Sequence, residues 1–383
     1  MFSLKARPAK SSPSPVGPRG RIARDSAFGT RGFLPAHDPL TAFPSGSRFC
    51  VLDELGHDLP SVLQDGEFRK YASELAIPAW RREWVRGKDL PALRLYYLRL
   101  GFLASAYVNQ VGQERVASLP ANIAVPLVNC CRLLGRPPIL SYDGYALYNW
   151  KRFHPDGPIT LGNIDTLQNF VHLYDEHWFI LVHVEIEAIA ADILRAIAEV
   201  QKMSADVDVA NRALQRIEDA LRRQADVLRR IPEKMDPALY FRAFRPYIGF
   251  FENVVYEGVS REPLSFRGET GAQSSIMPTL VAFMKIPHQP TLLTDHLRDM
   301  RRYMPAEHRD VLETADALPS LRERADREAF NGVLEAMASF REVHYGWAQE
   351  YINRRVDDPR GTGGTPYMDW LKQLIDETRA HQV

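Results

Sequence analysis

A histidine close to the C-terminus has neighbours that suggest chemistry. Phe340, Trp347 and Tyr351 stand four residues before, three after and seven after His344, so the four side chains share one face of a predicted helix. A neutral imidazole on an apolar face needs a partner for at least one ring nitrogen. Two interpretations follow: a core histidine bonded to a backbone carbonyl, or the axial ligand of a haem iron packed against this face.

A second histidine lies in an apolar run, with an acidic residue one helical turn later. His183 and Glu187 are four residues apart, and side chains at this spacing meet on a helix. The pair is typical of an internal ion pair or hydrogen bond. Two ligands on one face are too few for a dedicated metal site, so we do not expect one there.

Arginines alternate with aromatic residues in the segment Tyr240-Phe-Arg-Ala-Phe-Arg-Pro-Tyr247. On a helix Phe241 and Arg245 share one face. A guanidinium held among aromatic rings can bind a planar carboxylate through two hydrogen bonds. An arginine stem also packs on aromatic surface without binding any ligand, so both interpretations stay open at this point.

Two further segments are rich in small residues. Gly268-Glu-Thr-Gly-Ala-Gln-Ser-Ser275 combines glycines with hydroxyl side chains. Its backbone can approach a ligand closely, although it also fits an ordinary turn before a serine-capped helix. Gly361-Thr-Gly-Gly-Thr365 lacks the Lys-Ser/Thr pair of a phosphate loop. It fits either a flexible connector or a mobile lid that closes over a ligand.

Helices are the elements predicted to position these residues. Strand-like alternation is scarce, so we predict an all-α protein. We expect a basic, proline-rich and disordered tail over residues 1–31, a small helical domain over 32–158 and a larger helical domain over 159–383. Apolar residues recur three or four positions apart over residues 63–75, 90–110, 177–202, 205–230, 237–250, 274–285, 291–303, 308–315 and 328–355.

The composition argues against several classes of partner. The 383 residues are 45% hydrophobic, and 48 basic side chains balance 48 acidic ones. This balance argues against nucleic acid and anionic membranes. The longest apolar stretch, residues 178–191, is too short and too charged to span a bilayer. Three cysteines, two of them adjacent, suit neither a disulfide framework nor a CxxC metal site, so we expect a reducing, cytoplasmic location.

Taken together, several stretches of the sequence resemble the indoleamine 2,3-dioxygenase family. They occur in that family's order and at roughly its spacing, from about Gly32 to the C-terminus. Matches in this number and order do not arise by chance. The stretches are Asn122-Ile-Ala-Val-Pro126, Leu134-Gly-Arg-Pro-Pro-Ile-Leu-Ser-Tyr142, Asn149-Trp150, Val255-Tyr-Glu-Gly258, Gly271-Ala-Gln-Ser-Ser275, Asp299-Met-Arg-Arg-Tyr-Met-Pro305 and Gly361-Thr-Gly-Gly-Thr365.

The resemblance implies an all-α dioxygenase that holds haem b in its larger domain and inserts both atoms of O₂ across the indole C2–C3 bond. The family's product from L-tryptophan is N-formyl-L-kynurenine, and an external electron donor is implied for haem reduction. His344 falls at the proximal iron ligand, Arg341 near a haem propionate and Gly271 in a loop against the haem. Val281 stands where an acidic partner of Arg341 is expected, so the hydrogen bonding of Arg341 is expected to differ.

The resemblance also implies a substrate pocket. Arg245 matches the arginine that holds the substrate carboxylate, and Thr270 replaces a serine near the haem and the substrate ammonium. His183 replaces a distal serine and is interpreted as a distal-pocket residue that accepts from the indole N–H or donates to O₂, depending on its tautomer. A second interpretation of two flanking histidines is six-coordinate haem. The implied pocket walls are Tyr142, Tyr145, Phe179, Tyr240 and Phe241, with Tyr145 narrowing the distal side.

Two alternatives to tryptophan cleavage follow. Tyr145, His183, Tyr240 and Thr270 depart from the family pattern, which suits the same fold acting on another indole derivative. The other alternative is a haem-based gas or redox sensor without turnover. Arg245 argues against the sensor, because a sensor has no use for a carboxylate clamp.

Overall fold

A computed structural model of the chain is predominantly helical, with 61% of the described residues in helices and few strands among them. The all-α prediction is therefore confirmed. The structure describes residues 27–80, 89–203, 206–355 and 367–383. Most of the predicted tail and the whole Gly361–Thr365 segment lie outside the described residues. Within the described ranges, no helix is long and apolar enough to cross a bilayer.

The first half of the chain builds a compact set of helices around one buried helix. Fourteen of the 19 residues of α4 (Leu90–Val108) are buried, because apolar residues occur on all faces of this helix. α5 ends at Gly135, whose φ of +68° is a left-handed conformation that glycine adopts without strain. The helices are α1 (Ala27–Arg31), α2 (Cys50–Val62), α3 (Phe68–Glu74), α4 (Leu90–Val108) and α5 (Ala121–Leu134).

Two long helices and their neighbours form the second half. α7 (Val207–Arg229) packs against both α6 (Tyr174–Lys202) and α12 (Arg327–Tyr351). Aspartate side chains cap two of these helices: Asp206 accepts from the Val209 amide at the start of α7, and Asp326 accepts from the Glu328 amide at the start of α12. The helices are α6 (Tyr174–Lys202), α7 (Val207–Arg229), α8 (Pro237–Leu239), α9 (Ile276–Met284), α10 (Leu292–Met300), α11 (Ala306–Ala317), α12 (Arg327–Tyr351) and α13 (Tyr367–Ala380).

Short strands and two π-helical turns connect the helices. β1 (Ser118–Leu119) pairs in parallel with β4 (Phe251–Tyr256), and β4 pairs antiparallel with β5 (Leu264–Phe266). β2 (Lys151–Arg152) and β3 (Ile164–Asp165) form a separate antiparallel pair. The π-helical turns cover Asp143–Leu147 and Tyr240–Phe244, and such turns are common at functional sites.

Two hydrophobic cores meet at α6. Ile180 and Val184 belong to the core around α4, whereas Val182 and Ile186 belong to the core around α7 and α12. The first core also contains Tyr303 and residues between 247 and 256, so the two cores do not separate at residue 158. A domain boundary at this position stays a prediction.

The tail ends earlier than the sequence predicts. Residues 27–31 form α1, and Phe28 is buried with its ring centroid 6.0 Å from those of Phe33 and His308. Gly32 has a φ of +61°, and a Cβ added there would lie 1.9 Å from the carbonyl oxygen of Glu187 on α6. Aromatic burial at Phe28 and Phe33 offsets the entropy of ordering α1, which composition alone does not reveal.

Candidate active site

A cavity of about 330 Å³ lies between α6, α12 and the loop that precedes α9. The whole predicted apolar face of α12 borders it, including Phe340, Trp347 and Tyr351. Two hydrogen bonds fix that face, because Trp347 Nε1 donates to the Leu228 carbonyl and Tyr351 Oη to the Met235 carbonyl. Eight of the eleven predicted site residues line the cavity: Tyr142, Phe179, His183, Tyr240, Thr270, Gly271, Arg341 and His344.

His344 presents an unpaired imidazole to this cavity. Neither ring nitrogen forms a hydrogen bond with any residue of the described ranges, which argues against a core histidine bonded to a backbone carbonyl. Burial, together with the nearby charge of His183, lowers the pKa of His344 to about 4, so the ring is neutral and a lone pair is available for a metal. A Cβ added at Gly271 would lie 3.9 Å from Nε2 of His344, and glycine therefore leaves space beside that atom.

Arg341 places a buried positive charge at the same cavity, one helical turn before His344. Its guanidinium donates to the Leu374 carbonyl and to the Thr378 hydroxyl of α13. Burial lowers the pKa of Arg341 to about 10. In the part of the chain that the structure describes, no carboxylate oxygen lies within 4.0 Å of this guanidinium. A buried cation of this kind suits an anionic group in the cavity.

His183 lies on α6 and has a defined tautomer. Its Nδ1 is 2.7 Å from the carbonyl oxygen of Phe179, and a carbonyl accepts but does not donate. Burial lowers the pKa of His183, so the ring is neutral with the proton on Nδ1. Nε2 is then a hydrogen-bond acceptor.

Glu187 does not pair with His183, contrary to the i, i+4 interpretation. Instead, Tyr142 Oη and Ser274 Oγ donate to Glu187 Oε1 at 2.9 and 2.7 Å. Burial raises the pKa of Glu187 to about 7. The Glu187 carboxyl on α6 therefore links this helix to Tyr142 and to Ser274 in the loop before α9. These two hydrogen bonds hold the parts of the cavity wall together.

Stacked aromatic rings form the wall next to His183. The ring centroid of Phe179 lies 4.6 Å from that of His183 and 5.4 Å from that of Tyr240. Tyr145 is behind this wall and does not border the cavity, which corrects the expectation that it narrows the distal side. Its hydroxyl donates to the buried carboxyl of Glu176, and its ring stacks on Phe102.

Arg245 and Phe241 lie at the edge of the cavity and do not line it. The Cζ atom of Arg245 is 5.4 Å from the ring centroid of Phe241, and the nearby charge of Arg245 opposes the effect of burial, which raises the pKa of Tyr240 to about 12. Arg245 Nε and Tyr367 Oη are both buried without a hydrogen-bond partner in the described structure. These two unsatisfied donors, one of them on the cationic side chain of Arg245, fit a carboxylate ligand.

The loop before α9 approaches the cavity because it is clamped to another segment. A Cβ added at Gly268 would lie 2.4 Å from the carbonyl oxygen of Ile248 and 2.6 Å from the amide nitrogen of Phe250. The Glu269 amide also donates to the Ile248 carbonyl at 3.0 Å. Only glycine permits this close approach, which sets the position of Thr270 and Gly271.

Replacing Gly268 by alanine is expected to displace the loop and to lower the stability of the protein by about 1–3 kcal/mol, because the new methyl group meets rigid backbone. Haem uptake is expected to weaken as well. Gly346→Ala is the matched control, since an added Cβ at this α12 position meets nothing within 4 Å, and alanine there should stabilise the helix by about 1 kcal/mol. Thermal unfolding and hemin titration are measured for both variants. Equal stability and equal haem uptake of the two variants would contradict the proposed role of Gly268 in positioning the loop.

Sequence reasoning missed two features of the cavity wall. Glu269 is buried and lines the cavity; the signal was the single acidic residue in a run of small side chains. Tyr367 and Trp370 of α13 also line it, and no local pattern indicated that this helix folds back onto α12. The described residues contain no group of three or more His, Cys, Asp or Glu side chains that could hold a metal ion.

Comparison with known proteins identifies the family. The profile described as indoleamine 2,3-dioxygenase matches residues 27–358. The chain belongs to the indoleamine 2,3-dioxygenase family. It is 31% identical to indoleamine 2,3-dioxygenase 1 of Rattus norvegicus, over 91% of this chain and 92% of the relative. It is 29% identical to indoleamine 2,3-dioxygenase of Saccharomyces cerevisiae, over 91% of each chain. A protein named myoglobin from Haliotis madaka is 27% identical over 92% of this chain and 96% of its own.

Membership of the indoleamine 2,3-dioxygenase family makes this protein a haem-dependent dioxygenase, which confirms the enzyme class inferred from the sequence. The cavity residues fit haem on three counts. His344 offers a neutral, unpaired nitrogen ligand, Gly271 leaves space beside that nitrogen, and Arg341 provides a buried cation for a carboxylate of the porphyrin. The remaining wall is largely apolar, as a porphyrin face requires.

Proposed function

We propose that this protein binds haem b through His344 and cleaves the indole C2–C3 bond of L-tryptophan with O₂ to give N-formyl-L-kynurenine. The observation that carries the proposal is the unpaired, neutral imidazole of His344 in a cavity that also contains His183. Arg341 would face a haem propionate, since its charge is buried without a carboxylate partner in the described structure. When bound, haem supplies the redox-active metal centre at which O₂ is activated.

The protein residues position the substrate. Arg245 Nε and Tyr367 Oη are the unsatisfied donors that would take the substrate carboxylate. Phe179 and Tyr240 offer aromatic surface to the indole ring. Holding the reactants at near-attack distance supplies up to about 7–11 kcal/mol of the barrier reduction, and the apolar wall excludes water from the reacting groups.

His183 would orient the indole through its Nε2 atom. The Nδ1 proton is committed to the Phe179 carbonyl, so Nε2 can accept a hydrogen bond from the indole N–H but cannot donate one to O₂. The structure thus favours one of the two roles that the sequence left open. No other general base is required, because indole is electron-rich enough to react directly.

The His183→Ala variant is expected to bind L-tryptophan about five-fold more weakly or worse, since one hydrogen bond to the indole N–H is lost. 1-Methyl-L-tryptophan, which lacks that N–H, is expected to bind both proteins alike. Equilibrium titrations of the haem-loaded wild type and variant measure the effect. An equal loss of affinity for both ligands would show that His183 acts through packing alone.

Turnover with isotopically labelled O₂ tests the proposed reaction. The reduced, haem-loaded protein, supplied with an external electron donor, is expected to convert L-tryptophan into N-formyl-L-kynurenine that carries both labelled oxygen atoms. Turnover of tryptamine or a substituted indole in place of tryptophan would support the alternative substrate class. Absence of turnover of any indole would refute the proposed function.

A haem protein that binds O₂ without turnover is the second candidate, because one relative bears the name myoglobin. The unsatisfied donors at Arg245 and Tyr367 favour the enzyme, since a gas carrier needs no carboxylate site. Stable O₂ binding that L-tryptophan leaves unchanged would support the carrier.

A further inference from the structure

The side of the cavity formed by α10, α12 and α13 carries several nitrogen-bearing side chains, and none of the described residues that line this side is acidic. His296 belongs to α10, Arg301 directly follows that helix, and Arg341 belongs to α12. His288, which precedes α10, also lines this side and already bonds the carboxylate of Glu377. This side of the cavity therefore suits an anionic group of a bound ligand.

His296 has an incomplete set of hydrogen bonds. Its Nδ1 atom is buried and has no hydrogen-bond partner in the described structure. Burial, together with the nearby charge of Arg267, lowers the pKa of His296 to about 4, so the ring is neutral. The carboxylate of Asp299, three residues later, pairs instead with Arg302 at 3.0 Å and with Arg267 at 3.7 Å. A buried nitrogen without a partner costs free energy that a polar group of a ligand can recover.

Contacts to α13 place His296 and Arg341 on the same side of the cavity. The ring centroid of His296 lies 5.3 Å from that of Trp370, and Nη1 of Arg341 donates to the Leu374 carbonyl at 2.8 Å. Trp370 and Leu374 are four residues apart on α13, and both line the cavity. Successive turns of a helix are about 5 Å apart along its axis, so the two side chains contact neighbouring turns of one helix.

We propose that His296 donates a hydrogen bond to one propionate of haem b while Arg341 faces the other, so that the propionate edge of the porphyrin lies against α10 and α13. Haem b carries its two propionates on adjacent pyrrole rings, and a hydrogen bond from an imidazole N–H to a carboxylate is charge-assisted. This inference rests on the haem binding of the proposed function. It adds the orientation of the cofactor and a preference for porphyrins with free carboxylates.

The test compares hemin with hemin dimethyl ester, in which both carboxylates are blocked, as ligands of the wild type and the His296→Phe variant. Phenylalanine keeps an aromatic ring against Trp370 but has no N–H group. The variant is expected to release hemin to an excess of apomyoglobin about 10-fold faster than the wild type. Release of the dimethyl ester is expected to be equally fast from both proteins.

Two results of this comparison would overturn the proposal. Equal acceleration for hemin and its ester would show that His296 acts through packing, and an unchanged release of hemin would show that it does not contact a propionate. A changed iron spectrum in His296→Phe would also overturn it, because His296 would then be an iron ligand.

Two further variants serve as controls. His296→Asn is expected to release hemin almost as slowly as the wild type, because its amide can donate from a position close to that of Nδ1. His308→Phe is the matched control, since His308 is also buried with a pKa lowered to about 4 by burial but bonds Ser275 outside the cavity. This variant should leave the ratio of the two release rates unchanged, and a change in that ratio as large as in His296→Phe would contradict the proposal.

Hydrogen exchange of the wild type keeps the proposal testable if His296→Phe does not fold. The amides of α10 are expected to exchange more slowly with hemin bound than with the dimethyl ester bound. Equal protection by the two porphyrins would refute the propionate contact at α10 and leave the proposed function intact. Failure of the wild type to take up hemin would instead refute the proposed function.

Discussion

The His344→Ala variant is expected to lose stable haem binding. His344 is the residue of the described cavity wall that combines a neutral imidazole, two unpaired ring nitrogens and a facing glycine. A haem iron without its axial protein ligand is held only by the apolar wall and by Arg341, so hemin should dissociate during gel filtration. Activity is expected to be lost with it.

His308→Ala is the matched control for this experiment. His308 is also buried with a pKa lowered to about 4 by burial, but its Nδ1 bonds Ser275 Oγ and its ring packs against Phe33, outside the cavity. This variant should be less stable and still retain haem. Added imidazole should restore hemin binding to His344→Gly, because it replaces the missing ligand. An unchanged haem spectrum in His344→Ala would show that another residue ligates the iron.

The Arg245→Ala variant is expected to raise the KM for L-tryptophan about 100-fold, because a charge-assisted contact to the carboxylate is lost from a half-buried side chain. Turnover at saturating substrate should fall much less. Tryptamine, which has no carboxylate, should show little difference between the variant and the wild type. Steady-state kinetics with both substrates measure the split between KM and kcat.

Arg242→Ala provides the control, since Arg242 lies three residues earlier and is exposed. Arg245→Lys is expected to recover only part of the affinity, because an ammonium is a point charge without the guanidinium fork. An equal rise in KM for tryptamine would show that Arg245 supports the wall through Tyr240 and does not contact the carboxylate.

Local periodicity was enough to predict the ligand-bearing helix. The spacing of Phe340, His344, Trp347 and Tyr351 is a property of one helix, and the structure confirms that all four side chains share the cavity face. The choice between a core histidine and a ligand could not be made from that pattern. It depends on whether another segment offers a hydrogen-bond partner, which is a tertiary property.

Contacts between distant segments explain why the sequence does not predict some elements of the fold. Residues 237–250 were predicted as one helix, but the helical turn ends at Phe244 and β4 follows, because β4 pairs with β1 more than a hundred residues earlier. α2 was not predicted, since Gly56 and Pro60 interrupt its apolar pattern. A Cβ added at Gly56 would lie 2.6 Å from Nη1 of Arg99 on the neighbouring helix α4.

Contacts between distant segments also decide where individual site residues lie, and the sequence pattern does not show these contacts. Tyr145 was expected in the pocket, but its hydroxyl bonds Glu176, and this draws the ring behind Phe179. The tautomer of His183 is set by the Phe179 carbonyl on its own helix, and residue spacing alone does not reveal that hydrogen bond.

Hemin titration of the purified protein tests the central claim most directly. The account predicts that each chain takes up a single haem, with the magnetic circular dichroism of ligation by one histidine, and that His183→Ala leaves this signature unchanged. A protein that takes up no hemin, or one whose spectrum reports two histidine ligands and changes in His183→Ala, would contradict it.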